Sequence, residues 1–165
     1  MSRLYVAYNG PMPTVAQQVP VTTGTAIKTL LQIATPATSG LEVVEWGISF
    51  DGSVAAAPIQ CALIETDVAA TVTAHVASGV QSFGADQNLA SLVTLGAAAS
   101  GYTATVEGAI TATRMGDAQL VAPTNQYLKQ FPLGNEFFVR ASKFLRVRVT
   151  AAAAVNALAY VIWRE

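Results

Sequence analysis

The sequence predicts an all-β protein, an antiparallel β-sandwich that is jelly-roll-like and has at most one short helix. Three observations predict it: apolar residues alternate with period two in several segments, Gly and Pro turns separate these segments, and a helical period is almost absent. Many short strands separated in this way are typical of two packed sheets. A length of 165 residues without a linker or a repeat fits one domain, residues 1–165.

Residues 41–50 (LEVVEWGISF) show the clearest alternation. The apolar face of this segment holds Val44, Trp46, Ile48 and Phe50. The opposite face holds Glu45, Gly47 and Ser49. Because successive side chains of a strand point to opposite faces, the segment is predicted to be a strand with one face in the core.

Two more segments alternate in the same way. Residues 144–150 (FLRVRVT) are predicted to direct one set inward, Leu145, Val147 and Val149, and to leave Arg146 and Arg148 on the other face. In residues 26–34 (AIKTLLQIA) the aligned set is Ile27, Thr29, Leu31 and Ile33, opposite Lys28, Leu30 and Gln32. Both segments are therefore predicted to be strands of the sandwich.

Residues 156–163 (NALAYVIW) alternate without a polar face. One face carries Leu158, Tyr160 and Ile162, and the other carries Ala157, Ala159, Val161 and Trp163. We expect a strand that is covered on both sides, by the core on one side and by a neighbouring subunit or a loop on the other. A helix is the alternative for residues 151–163 because alanine favours helix, but the β-branched and aromatic residues favour a strand.

Turn residues separate these segments. Asp51 and Gly52 predict a hairpin with a wide loop that leads through Pro58 to a strand at residues 59–66. The best helix signal covers residues 82–95, where Asp86 precedes the apolar residues Leu89, Leu92 and Val93.

Charge is scarce in this chain: 12% of residues are charged, against roughly 25% in soluble proteins, and 52% are hydrophobic. Such a surface predicts that other copies of the chain, or another protein, cover part of the exterior. The alternative is an Ala- and Thr-rich surface that stays soluble alone. The net charge of -1 provides no basic field for nucleic acid. No apolar run reaches the ~20 residues of a membrane helix, and no signal-peptide segment is recognisable, so neither a membrane nor export is predicted.

Few residues could support catalysis. His75 is the one histidine, no acidic residue lies near it in the sequence, and Ser78 is the nearest nucleophile, so it is predicted to be a surface or loop residue. Glu65 and Asp67 lie two positions apart, but glycosidase carboxylates usually come from separate elements of a deep cleft, and a solvated strand end is predicted. Neither GxxxxGK[ST] nor GxGxxG occurs. We therefore expect no enzyme, no cofactor and no small-molecule substrate.

Metal ligands are equally few. One cysteine, Cys61, excludes an intramolecular disulfide, and its neighbours Ile59 and Leu63 predict a buried thiol. One Cys and one His cannot assemble a zinc site, and Asp86 with Asn88 lacks the other ligands of a calcium loop. A metal is therefore not predicted, unless a three-fold axis gathers His75 from several subunits.

The first 13 residues are a candidate interface arm. Tyrosines suit protein interfaces, and prolines reduce the entropy that an extended arm loses on binding. The predicted interface residues are Leu4, Tyr5, Tyr8, Pro11, Met12 and Pro13. The alternative is an ordinary first strand followed by a loop.

Four segments, taken in order, resemble a family of small β-rich proteins of actinobacterial tailed bacteriophages and prophages, some of which are head decoration or minor capsid proteins. The segments are VTTGTAIKTLLQIATP (21–36), EWGISFDGS (45–53), LVAPTNQYLKQFPLGNEF (120–137) and FLRVRVTAAAAVNALAYVIW (144–163). None of them is a catalytic motif.

The resemblance implies a jelly-roll-like domain that assembles as a homotrimer and binds the phage major capsid protein on the outer capsid surface of the virion, after synthesis in the host cytoplasm. It supplies no catalytic residues. The function expected from it is capsid decoration, which stabilises the head. The alternative is a carbohydrate- or receptor-binding β-sandwich of a phage tail or fibre, since one fold serves many functions. Such a module needs an exposed aromatic platform, whereas Trp46 and Trp163 alternate with apolar residues as core side chains do.

Overall fold

The structure is a computed structural model that describes residues 3–52, 57–84 and 89–165. Within these ranges nearly all regular structure is β-strand, and one short 3-10 turn covers Ala77–Gly79. The strands are β1 (Leu4–Tyr8), β2 (Val21–Thr22), β3 (Lys28–Ala34), β4 (Leu41–Phe50), β5 (Ile59–Thr66), β6 (Thr71–Ala74), β7 (Val80–Ser82), β8 (Gly101–Val106), β9 (Thr113–Val121), β10 (Gln126–Gln130), β11 (Phe137–Val139), β12 (Phe144–Thr150) and β13 (Asn156–Arg164).

The described strands form two antiparallel sheets that pack face to face. The first sheet has the order β10-β4-β13-β1-β7, with β11 also paired to β4 and β2 to β13; the second has the order β6-β8-β3-β12-β5-β9. The chain passes from one sheet to the other between β3 and β4, between β4 and β5, and between β12 and β13, as in jelly-roll folds. The predicted antiparallel β-sandwich is confirmed.

One hydrophobic core fills the space between the two sheets. It receives Leu145, Val147 and Val149 from β12, as predicted, and both tryptophans, Trp46 and Trp163, are fully buried in it. The predicted strand at residues 59–66 is β5, and its Cys61 lies in the same core. Burial raises the pKa of the Cys61 thiol to about 12, so this thiol is unreactive near neutral pH.

The prediction that Val44 lies on the core face of β4 is wrong. The pairing of β4 with β13 shifts register after Trp163–Val43, and the next pair is Ile162–Glu45, so Val44 is left over as a bulge. An extra residue in one strand reverses the side-chain alternation beyond it. Leu41 and Val43 therefore point into the core before the bulge, and Trp46 and Ile48 do so after it.

The predicted hairpin after Asp51 and Gly52 is also wrong. β4 belongs to the first sheet and β5 to the second, so the turn carries the chain across the sandwich. The segment 82–95, for which a short helix or an ordered loop was predicted, forms no helix where the structure describes it: Ser82 ends β7, and Thr94 and Leu95 make isolated β-bridges. Asp86 and Asn88 lie outside the described residues.

β3 is buried on both faces, whereas the sequence predicted one polar face. A bulge at Leu30 places Leu30, Leu31 and Ile33 in the core, while Ile27, which precedes the strand, is half exposed. Gln32 points out of the sandwich, but it too is buried, because its side-chain amide binds the backbone of Ala70 and Ala99 in loops that fold over the second sheet.

Loops over the second sheet also bury Arg146, for which the sequence predicted an outward position beside Arg148. Its guanidinium donates to the carbonyl oxygens of Val68 and Glu107 and forms an ion pair of 3.2 Å with the Glu107 carboxylate. Glu107 in turn accepts hydrogen bonds from the backbone and side chain of Thr29. The buried guanidinium of Arg146 therefore connects these loops to the second sheet.

Candidate functional site on the outer face of the first sheet

The predicted interface residues Leu4, Tyr5 and Tyr8 lie in β1, which is hydrogen bonded between β13 and β7 inside the first sheet. Tyr5 points into the core, where its ring stacks on Trp163 at a centroid distance of 6.1 Å. The prediction that residues 1–13 form an arm is therefore wrong for Leu4–Tyr8, since the sheet already uses the backbone on both sides of this strand. Met1 and Ser2 lie outside the described residues.

The other predicted interface residues, Pro11, Met12 and Pro13, begin an irregular loop between β1 and β2. We refer to residues 11–19 as the 11–19 loop. Its most exposed apolar side chain is Val15, at 100% of its possible exposure, and Val19 is also largely exposed. The ends of the loop come together where Gln18 lies against Gly10, so closely that a side chain at residue 10 would have to displace the Gln18 amide. Contact of these residues with another molecule stays a prediction.

The outer face of β13 is apolar, as the sequence predicted, although the strand ends in Arg164, which pairs with Glu42 and Glu136. Ala157, Ala159, Val161 and Trp163 enter the core, and Leu158, Tyr160 and Ile162 point outward. Ile162 pairs with Val6 of β1, and both are almost covered although neither belongs to the main core. The alternative of a helix at residues 151–163 is wrong, because β13 is held between β1 and β4.

A groove with a volume of about 270 Å³ runs along this outer face. We call it the outer-face groove, and its principal side chains are Tyr8, Gln18, Gln126, Leu128, Leu158 and Tyr160. The centroids of the Tyr8 and Tyr160 rings lie 5.9 Å apart. The Tyr160 ring lies over Gly47, where any side chain would collide with it. None of the residues described along the groove is charged.

Two polar groups shape the wall of the groove. The Tyr160 hydroxyl donates a hydrogen bond of 2.5 Å to Glu45, and burial together with this carboxylate raises the pKa of Tyr160. The Gln18 side-chain nitrogen is buried and has no hydrogen-bond partner within the described part of the chain. Because this atom is enclosed by its own chain, it presents no donor to the groove.

The groove provides binding surface. Sites for small molecules usually measure roughly 300–1,000 Å³ and contain a few convergent polar groups. This groove lies near the lower end of that range, and aromatic, aliphatic and amide groups line it.

His75 lies in the loop after β6, which agrees with the prediction of a surface or loop residue, but it is not at the surface. Its side chain is buried beside the Tyr102 ring at 5.0 Å and against Gly79, which leaves room for the imidazole. Neither ring nitrogen makes a hydrogen bond of normal geometry with the described residues. Burial lowers the pKa of His75 to about 4, and the Tyr8 backbone offsets this only in part. A ring this enclosed cannot provide a metal ligand at a three-fold axis.

We expect His75 to make the protein lose stability as the pH falls from about 6.5 to about 4. In this interval an unfolded chain binds a proton on its histidine and the folded chain does not, so protonation favours unfolding. The difference between the pKa values of His75 in the unfolded and the folded chain corresponds to at most about 3 kcal/mol of stability, at roughly 1.4 kcal/mol for each pH unit. Urea denaturation at a series of pH values measures it.

The control for this prediction is His75→Phe, which keeps an aromatic ring against Tyr102 and removes the titration. The stability of this variant should be nearly constant in the same interval. Glu65 and Asp117 add acid sensitivity only once the pH falls toward ordinary carboxyl pKa values, because their own pKa values are lowered. Parallel curves for the two proteins would show that His75 is not responsible.

Glu65 and Asp67 do not form a pair of catalytic carboxylates. Glu65 is buried, which contradicts the predicted solvated strand end, and it accepts hydrogen bonds from Arg140 and Arg114 at 2.5–3.0 Å. Burial alone would raise the pKa of Glu65, but these bonds outweigh it and lower the pKa. Asp67 binds Thr111 at a loop instead. Each carboxylate therefore has a structural role.

A second buried carboxylate, Asp117, was not singled out by the sequence. It lies on the edge strand β9 and accepts hydrogen bonds from Trp46 at 3.2 Å, from Tyr127 at 2.9 Å and from Lys129 at 3.1 Å. Burial raises the pKa of Asp117, but the three donors outweigh it and lower the pKa. This cluster joins the edge strands of the two sheets. Inward-pointing charges of this kind also discourage unspecific pairing at sheet edges.

The described ranges contain no group of three or more His, Cys, Asp or Glu side chains that could hold a metal ion. In the same ranges no helix has the length and apolar character needed to cross a membrane.

Comparison of the chain with protein-family models, with curated proteins and with solved structures found no match. The class that the fold and the surface define is an antiparallel β-sandwich with an uncharged groove on one outer face.

Proposed function

We propose that this chain is a non-enzymatic structural protein of a tailed bacteriophage, a decoration protein that assembles as a homotrimer and stabilises the head by binding the outer surface of the major capsid lattice. The observation that carries the proposal is the apolar outer face of β13, with a groove whose lining residues carry no charge and with the exposed 11–19 loop beside it. Exposed apolar surface of this kind marks interaction sites.

Three other observations support the proposal. The chain carries few charges, so its surface lacks the groups that normally keep a protein solitary. Three of the buried charged side chains, Glu65, Asp117 and Arg146, hold loops and strands together. The resemblance to phage head proteins supplies the partner. Many equivalent weak contacts on one lattice add to a strong attachment.

Binding to empty heads tests the proposed function. The purified chain is incubated with heads assembled from the major capsid protein of the phage that encodes it, and with the same protein as unassembled subunits. We expect the chain to sediment with the heads in a saturable amount, to raise their melting temperature, and to leave the unassembled subunits unbound. A chain that is monomeric at micromolar concentration and that fails to sediment with heads would contradict the proposal.

A carbohydrate- or receptor-binding role is the second candidate, because Tyr8 and Tyr160 leave aromatic surface in the outer-face groove. Both tryptophans, however, are in the core and cannot form a sugar platform. Glycan-array binding that is lost in Tyr8→Ala would favour this role over capsid decoration.

A further inference from the structure

We infer that the 11–19 loop of one copy of this chain inserts Val15 into the outer-face groove of a second copy. This inference rests on the proposed function because it specifies how the copies assemble. It names the two surfaces that meet, which the resemblance does not.

The loop has the properties of an inserting element. Val15 is fully exposed and points away from its own subunit, although Gln18 of the same loop reaches the groove. Residues 4–27 contain no charged residue and no histidine, so no charge has to be desolvated on insertion. Pro11 and Pro13 restrict the backbone ahead of Val15, which lowers the entropy lost on binding.

The groove has the properties of a receptor for such an element. Its volume of about 270 Å³ is many times the ~30 Å³ that one water molecule occupies. A valine with parts of its neighbours therefore fits. The lining is uncharged, as the loop is, so the two surfaces match in polarity.

The contact joins two different surfaces of the same molecule, so each copy offers one loop and one groove. Such head-to-tail contacts close into rings when the rotation between copies permits it. A ring of three copies would leave no loop and no groove unused, in agreement with the proposed homotrimer.

Disulfide trapping tests the contact. The variant Val15→Cys/Leu128→Cys carries one thiol on the loop and one on the groove, at two positions that are exposed and free of core contacts. The native Cys61 does not interfere because it is fully buried and its pKa is raised to about 12. The protein is oxidised gently at neutral pH and examined on non-reducing gels, with each single-cysteine variant as a control.

We expect the double variant to form covalent oligomers up to a closed ring, and both single variants to stay mostly unlinked. Conversion of the double variant to a cross-linked monomer would show that the loop folds onto its own groove. Efficient linking of Val15→Cys alone would show that two loops meet. Either outcome, or the absence of any linkage, would overturn the inference.

A charge variant separates this inference from the proposed function. Val15→Asp should shift the chain to monomers in light scattering, whereas Val76→Asp, at another valine that is largely exposed, should not. If Val15→Asp stays oligomeric and both variants still bind heads, the inference fails and the proposed function survives. If the cross-linked oligomer forms but does not bind heads, the proposed function fails and the contact stands.

Discussion

Replacing Trp46 with alanine is expected to lower the free energy of unfolding by about 3–5 kcal/mol, which would unfold a domain of ordinary stability. The indole is fully buried in the core, where its ring meets Tyr127 at 5.5 Å. Its removal leaves a large cavity, and it also takes away the hydrogen bond of 3.2 Å that Trp46 donates to Asp117. Thermal and urea denaturation measure the loss.

Trp46→Phe is the matched control, since phenylalanine keeps most of the apolar volume and loses the donor. Its destabilisation should be clearly smaller than that of Trp46→Ala. The Trp46→Ala protein should also unfold at a lower urea concentration at every pH. A melting temperature equal to that of the unchanged protein would place Trp46 outside the core.

Replacing Arg146 with methionine is expected to lower the free energy of unfolding by about 3–5 kcal/mol, the usual cost of breaking a buried ion pair. Methionine fills much of the space, but it leaves Glu107 with an unpaired charge and the Val68 carbonyl without its donor. The loops over the second sheet should then open. Hydrogen exchange at residues 67–70 and 107–112, together with urea denaturation, would show both effects.

The control for Arg146 lies two residues away on the same strand and face. Arg148 is partly exposed and makes no ion pair among the residues that the structure describes, so Arg148→Met should change stability by less than about 1 kcal/mol. Adding Glu107→Gln to Arg146→Met removes the orphaned charge and should recover part of the loss. Equal effects of Arg146→Met and Arg148→Met would show that burial of Arg146 contributes nothing.

The sequence predicted the strands correctly wherever apolar residues alternate regularly. β12 directs the predicted set inward, because the extra residue at its register shift lies in β3 and leaves the alternation of β12 itself unbroken. For β13 the alternation predicted two apolar faces, and only the structure shows which of them faces the core. β4 was predicted as a strand, but Val44 was placed on the wrong face. A bulge depends on the partner strand, and nothing in LEVVEWGISF indicates where β13 shifts its register.

The sequence predicted only part of the candidate site. The doubly apolar character of β13 predicted a covered outer face, and Tyr8 does line the groove. Tyr5 was placed in the same interface, yet it is a core residue, because neighbours in a strand point in opposite directions. If residues 4–8 had been interpreted as a strand, Tyr5 and Tyr8 would have been assigned to opposite faces of the sheet. Gln126 and Leu128 come from a distant strand, and no local signal connects them to Tyr8.

By itself the sequence determined the fold class, the strand content and the scarcity of charge, because these depend on side-chain period and on composition. Only the tertiary structure decided which buried groups carry charge. Glu65, Asp117 and Arg146 look like ordinary polar residues of exposed strand faces, and they are buried because distant loops and edge strands bring Arg140, Lys129 and Glu107 to them. A charge can leave water only where a partner meets it, and such partners are set by the folded chain and not by neighbours in sequence.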